Sequence, residues 1–282
     1  GGVDLWARIV TAKLEKLLGQ PIVFDYRPGG GTVIGAEAAA RAPADGYTIH
    51  LIGSSAFAYQ PNMRKVPYNP LSSFVPLGAL GSASLLLVVN PKVPARNIAE
   101  LVAYAKANPG KLNYASSGIG SSNHLFCELF KMRTGIQMTH VPYKGVAAAI
   151  AEVIAGRLDI SIASLASGMP HVRSGRVQGF GVSGKERSAL LPQVPTFAEQ
   201  GFGDYNMSYW WGVAAPAGTP AAVLQRLNQE IAKAAEKPRL RDSFIAQGAR
   251  AVTSTPAEQT RRVDDEIRVW KATIQKANIK LE

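Results

Sequence analysis

The chain has 282 residues and a formal net charge of +11, a length that suits two domains better than one. With 46% hydrophobic and 18% charged residues it is no disordered segment, and apolar runs such as Leu85 to Val89 are strand-sized, far short of the ~20 residues of a membrane span. Cys127 is the only cysteine, which excludes an internal disulfide and fits cytosol and periplasm alike. The basic residues are scattered, densest at Lys237, Arg239 and Arg241, with no recognition-helix, zinc-finger or RNA-binding signature. They read as a solvated surface that attracts anionic solutes, not as a nucleic-acid interface.

In chain order, Gly1-Gly2-Val3-Asp4 reads as the end of a turn, so a first strand and a targeting segment are expected before Gly1. Asp4 can cap a helix over Leu5 to Leu18, with Gly19 as its stop. A strand from Ile22 to Tyr26 follows, then the turn Arg27-Pro28-Gly29-Gly30-Gly31 and an Ala-rich helix, Thr32 to Ala42. Tyr47 to Gly53 is a strand and Ser54 to Gln60 a loop over its carboxyl end. Phe74 to Leu80 and Leu85 to Asn90 are two further strands. Asn97 caps the helix Ile98 to Asn108, with Glu100 placed as in a capping box.

The stretch 111–145 is the most informative. A short strand, Leu112 to Ala115, enters a loop of small residues: Ser116, Ser117, Gly118, Gly120, Ser121 and Ser122. An apolar-periodic helix begins near Asn123, and a second strand ends at Val141. The layout sets backbone N–H groups and hydroxyls at a helix start, where an anion is held without a dedicated Arg. Beyond it come the helix Val146 to Ala155, strand Leu158 to Ser164, a short helix near Met169 to Ser174 and strand Val177 to Ser183. Lys185 to Pro195 is mostly loop and Thr196 to Gln200 a short helix. Tyr205 to Ala215 is an aromatic-rich strand. Helices Pro220 to Glu236 and Pro238 to Gln247, strand Arg250 to Thr253 and a long helix Ala257 to Ala277 complete the chain. Strands alternating with helices imply mainly parallel sheets flanked by helices, with ligands beyond the carboxyl ends of strands.

Catalytic signatures are weak. Gly29, Gly31 and Gly35 do not have the dinucleotide spacing, and no ribose-binding acid follows. Ser121 and Ser122 lie close to His124 but lack a nucleophile elbow, so His124 reads as a hydrogen-bonded residue orienting the loop. His50, His124, His140 and His171 are scattered, with no metal-ligand spacing. His50 and His140 read as buried, satisfied imidazoles, and Asp264-Asp265-Glu266 as a solvated helix face. Trp210 and Trp211 point to opposite faces of a strand. No cofactor or metal is expected.

Several motifs, in order, resemble one family. They are Gly1-Gly2-x-Asp4, Leu18-Gly19-Gln20-Pro21, Arg27-Pro28-Gly29-x-Gly31, Ile34-Gly35-Ala36 and Asp45-Gly46-Tyr47-Thr48. Further on stand Val88-Val89-Asn90-Pro91, Gly118-x-Gly120-Ser121, His124-Leu125, His140-Val141-Pro142-Tyr143-Lys144-Gly145, Pro170-His171 and Ala215-Pro216-Ala217-Gly218-Thr219-Pro220. Over essentially its whole length the chain resembles the substrate-binding receptors of tripartite tricarboxylate transporters, the Bug receptors.

That resemblance implies a periplasmic-binding-protein-like α/β fold, two lobes closing on a ligand cleft. It places residues 1–89 and 213–282 in one lobe and 90–212 in the other. It implies a monomeric, periplasmic, non-enzymatic receptor, exported by a signal peptide not in this sequence, that passes a small organic carboxylate to membrane permease subunits. Carried over, the ligand residues are Gly1, Gly2, Ser54, Ser55 and Ala56 from the first lobe, and Ser116, Gly118, Ser121, Ser122 and Asn123 from the second. Many relatives carry Asp-Asn where this chain has Ala163-Ser164, which removes a partner for a ligand ammonium. An acid without an amino group is therefore expected. Phe57, with Trp210 or Trp211, is expected to offer an apolar wall to an aromatic or longer aliphatic acid, dicarboxylates included. The rival reading is an enzyme acting on a small carboxylate on a related bilobal fold.

Overall fold

The computed structural model describes residues 2–27, 29–203, 208–235, 238–246 and 248–276. Gly1, Pro28, Tyr205, Glu236, Lys237, Gln247 and Ala277, named above, lie outside the described residues. The chain forms two compact units. The N-terminal unit holds residues 3–82, 210–246 and 250–276, and the central unit holds residues 2, 83–209 and 248–249.

In the N-terminal unit, helix α1 (Gly2–Leu18) starts three residues earlier than its sequence cap suggests. Asp4 lies inside the first turn, where its carboxylate accepts from Arg8 and from the Tyr26 hydroxyl. Gly19 ends the helix at φ 69, its N–H donating to Glu15 O at 2.9 Å. The expected strand Ile22 to Tyr26 does not form. A strand needs a neighbouring strand for its backbone groups, and among the described residues none pairs with this stretch; Ile22 N donates instead to Glu15 Oε1 at 2.8 Å, and Val23 is 87% exposed. Helix α2 (Val33–Ala40) buries Val33, Ala36 and Ala39.

Strand β1 (His50–Gly53) runs antiparallel to β7 (Ser208–Pro216), with His50 opposite Ala214 and Gly53 opposite Trp211. The segment after β1 is a π-helical turn, Ser55–Tyr59, followed by α3 (Gln60–Met63), not a loop. Its small first residues suggest a loop, but Ala56, Phe57, Ala58 and Tyr59 are all buried, and an apolar run of this kind is retained by packing. Helices α8 (Ala221–Ala235), α9 (Pro238–Ile245) and α10 (Pro256–Lys276) complete this unit. Its core gathers Ala36, Ile52, Phe57, Phe74, Trp210, Ala214 and Val263.

The two strands expected between residues 74 and 90 are one, β2 (Phe74–Val89), which passes from the first unit into the second. Its glycines permit close approach, not a break. A Cβ on Gly81 would sit 2.5 Å from the Trp211 ring, and one on Gly78 2.7 Å from Ser254 O.

The central unit contains α4 (Ile98–Ala107), β3 (Leu112–Ser116), α5 (Ser122–Thr134), β4 (Met138–Pro142), α6 (Val146–Ile154), β5 (Ile160–Ser164), α7 (Leu165–Arg173) and β6 (Gln178–Val182). Strand β8 (Ala249–Ala251) pairs with β2. Asn97 Oδ1 accepts from Glu100 N at 2.9 Å, the α4 cap expected from the sequence. Strand β3 is parallel to both β4 and β5, whereas β2 is antiparallel to β5 and β6. The sheets are thus mixed instead of mainly parallel. Helical crossovers make β3, β4 and β5 parallel, while β2 enters from the other unit without one. Leu86 lies between Ala163 and Val182, and a Cβ on Gly168 of α7 would come within 2.8 Å of its side chain. Leu85 to Val89 are at most 2% exposed, as a strand buried on both faces requires. The core around them includes Ala115, Val153, Leu165, Met169 and Val182.

Candidate functional site

The turn between β3 and α5 joins most of the residues singled out in the central unit. Ser121 is the N-cap of α5, its Oγ accepting from His124 N at 3.3 Å. Gly135 at φ 70 ends the helix, and Lys131 and Arg133 in its last turn suit the negative end of the dipole. Capping leaves the N–H groups of Ser122 and Asn123, the first two of the helix, with no recorded partner among the described residues. Two such donors at the positive end of a 13-residue helix have the chemistry to hold an anion.

The turn below them is fixed from inside. Ser121 N donates to Gly118 O at 3.1 Å. Ser116 Oγ accepts from Gly118 N at 3.1 Å and lies 2.6 Å from His140 Nε2 on β4. Gly120 N donates to His124 Nδ1 at 3.2 Å. Gly118 and Gly120 take φ 122 and φ 70, which a side chain would resist. Ser117 Oγ donates to Asn123 Oδ1 at 2.7 Å, and Asn123 Nδ2 donates to Ile162 O. That bond ties the start of α5 to the carboxyl end of β5, where Ala163 is fully buried and Ser164 caps α7 through a bond to Ser167 N. Ser116, Gly118, Ser121, Ser122, Asn123, Ala163 and Ser164 therefore meet at one end of the central sheet. Ser116 and Gly118 serve as framework, their polar groups being used within the turn.

His124 orients the loop and His140 is hydrogen-bonded, both as expected, and the structure brings His140 to this turn. The signal was available: a strand residue parallel to Tyr114 in β4 stands next to the end of β3. Burial pushes both imidazoles down, to about 4 for His124 and about 3 for His140, so they are neutral at pH 7. Burial raises the Cys127 thiol well above its ordinary value, which leaves it no nucleophile.

Gly2 opens α1, and in the N-terminal unit Ser54, Ser55 and Ala56 stand at the carboxyl end of β1. Ser54 is fully buried, Ser55 Oγ donates to Gly31 O at 2.9 Å, and Ala56 O accepts from the Tyr68 hydroxyl at 2.8 Å. Phe57 is not a wall for a ligand. It is fully buried and packs against Phe74, with ring centroids 4.9 Å apart, beside His50. Trp210 and Trp211 are also fully buried. Trp210 donates its indole N–H to Glu266 Oε1 at 2.6 Å, and Arg262 stands over its ring. An apolar run beside a strand end is spent on the unit's own core. Glu266 is likewise no solvated residue: burial raises its carboxyl.

Among the described residues no cluster of three His, Cys, Asp or Glu could hold a metal, and no helix is long and apolar enough to cross a membrane.

The profile of the tripartite tricarboxylate transporter family receptors matches residues 6–279. The chain is similar to protein BugT of Bordetella pertussis, 36% identical over 284 residues that cover 100% of this chain and 87% of that protein. Solved structures with the same periplasmic-binding-protein-like fold include the R. palustris protein Rpa4515 with adipate, with a TM-score of 0.93 at 32% identity over 98% of this chain and 93% of that one. The periplasmic binding protein BugD has a TM-score of 0.93 at 28% identity over 100% and 95% of the two chains. MatC of Rhodopseudomonas palustris with bound malate has a TM-score of 0.90 at 27% identity over 96% and 94%.

Proposed function

Because the chain belongs to the tripartite tricarboxylate transporter family of receptors, a family of solute-binding proteins and not of enzymes, we propose that it is a periplasmic, monomeric receptor for a small organic carboxylate, which it hands to membrane permease subunits. The observation that carries this reading is the β3–α5 turn, which presents unpaired amides at a helix start and no nucleophile with a base. The carboxylate is assigned to the N–H groups of Ser122 and Asn123, with the Asn123 side chain and Ser121 beside them. Each charge-assisted hydrogen bond contributes ~1.5–3 kcal/mol, so a few suffice for micromolar affinity after association costs. Ser54, Ser55 and Ala56 at the end of β1 are a second set of polar groups in the same reading. The adipate and malate held by the two R. palustris proteins support a dicarboxylate. No acid stands at the end of β5, where Ala163 and Ser164 lie, so the ligand carries no ammonium group. With Phe57 in the core, an aromatic wall is no part of the proposal.

The test is the thermal stability of unfolded and refolded protein, freed of carried-over ligand, against adipate, malate, glutarate, benzoate, 2-aminoadipate and aspartate. Binding to the folded state raises stability by ~2.7 kcal/mol at a hundred times Kd. A rise with a carboxylate and none with its amino analogue is expected. Tighter binding of the amino acids would remove the no-ammonium reading, and a flat response throughout would remove the receptor for carboxylates.

A further inference from the structure

We propose that His124 and His140 are positioning residues for the β3–α5 turn, imidazoles whose ring nitrogens fix its backbone for an anion where a carboxylate would repel it. The part of this inference that concerns ligand affinity rests on the carboxylate reading above; the part that concerns the turn does not.

The two rings are stacked, with centroids 4.1 Å apart and planes at 20°, and His140 stacks in turn on Tyr114 at 4.8 Å. Each ring holds one corner of the turn. His124 Nδ1 accepts from Gly120 N, and His140 Nε2 meets Ser116 Oγ, which carries Gly118 N. An acceptor at Nδ1 fixes the proton of neutral His124 on Nε2. Helix starts ordinarily recruit Glu or Gln at this third helical position to accept a backbone N–H. Ser121-Ser122-Asn123-His124 has the spacing of that box, with imidazole in place of the acid. The substitution has a chemical reason. A Glu here would place a full negative charge within the same turn as the free amides of Ser122 and Asn123, cancelling the attraction of the dipole for an anionic ligand.

The surroundings keep the rings uncharged. The ionisable groups facing them are Tyr114 on β3 and Glu128 and Lys131 on α5. Glu128 Oε1 is already engaged by the Tyr114 hydroxyl at 2.5 Å and by Lys131 Nζ at 2.7 Å. Strand β5, Ile160–Ser164, carries no ionisable side chain. A proton on His124 Nδ1 would oppose the Gly120 N–H donor to donor, and beside it stand a second imidazole and Lys131.

Three variants separate the roles. His124→Gln keeps a neutral acceptor, His124→Phe keeps the stacked ring but loses the acceptor, and His124→Glu keeps the acceptor but adds charge. The readouts are the amide resonances of Gly118 and Gly120, the imidazole nitrogen resonances between pH 7.5 and 5, and calorimetric affinity for adipate and malate. We expect the Gly120 amide to move in His124→Phe and to return toward its wild-type position in His124→Gln. Neutral imidazoles should persist to pH 5. Whichever probe binds should lose about tenfold or more in affinity in His124→Glu at pH 7.5, and far less in His124→Gln. A Gly120 amide indifferent to His124→Phe, or a Glu variant that binds as tightly as the Gln variant, overturns the proposal. If neither probe binds the wild type, the ligand panel judges the receptor reading, and the amide and imidazole resonances still decide whether the histidines template the turn.

Discussion

Acid should unfold this protein through its buried histidines, and His50 gives the cleanest measure. Its ring lies between Phe57 and Phe74 at centroid distances of 6.2 and 5.8 Å, its Nε2 has no hydrogen-bond partner among the described residues, and burial brings it from 6.5 to about 4. A folded value below the unfolded one means that the unfolded chain takes up the proton first. The stability due to the neutral ring is full above pH 6.5 and is lost as pH falls toward 4. At pH 5 the loss is ~2 kcal/mol for His50, with a slope near pH 5.5 of ~1.2 kcal/mol per pH unit. His124 adds a similar amount and His140, partly open to solvent, less. Glu266 acts in the opposite sense, because its raised carboxyl takes up a proton in the folded state first. The half-buried acids Asp4 and Glu152 and the exposed Glu199 and Glu258 are lowered by their hydrogen-bond partners, so the stability they give is present above about pH 4.5 and is lost only below it. Urea unfolding of the wild type and of His50→Leu at pH 7.5, 6.5, 5.5 and 5 isolates one proton, since all other groups cancel in the difference of slopes. The variant should be flatter by ~1 kcal/mol per pH unit. Parallel curves would refute burial as the cause.

Other substitutions test the packing and the site. Gly212→Ala places a Cβ 2.5 Å from Gly78 O and should cost about 3 kcal/mol or yield no soluble protein. Gly175→Ala has open space and only the strain of φ 69, so about 1 kcal/mol is expected in the same unfolding assay. Ser121→Ala removes the cap of α5 and should cost ~1 kcal/mol, with a parallel loss of adipate or malate affinity in calorimetry. Trp210→Phe leaves the buried Glu266 carboxyl without its indole donor, a loss of ~1–3 kcal/mol that the pair Trp210→Phe/Glu266→Leu should partly restore.

Local chemistry was legible in the sequence wherever the backbone obeys nearby residues. Asn97 and Glu100 marked the start of α4, Gly19 marked the end of α1, and the serine and glycine run marked the turn between β3 and α5. Motif order carried the family, since eleven short motifs at fixed spacing specify one fold more narrowly than any composition does. Tertiary structure decided the rest, because strand pairing and burial depend on what lies far away in sequence. Residues 22–26 have a strand's composition but, among the described residues, no strand to complete a ladder with. Phe57 follows a strand end, as a ligand wall would, yet Phe74 and His50 claim its ring. Residues 81–84 read as a break between two strands, yet β2 runs unbroken through them, with the Trp211 ring against Gly81. His140 reads as one more buried imidazole until the parallel register of β3 and β4 sets it under Ser116 and against His124. Periodicity and capping reach about one helical turn along the chain, whereas these contacts join residues that only the packed sheet brings together.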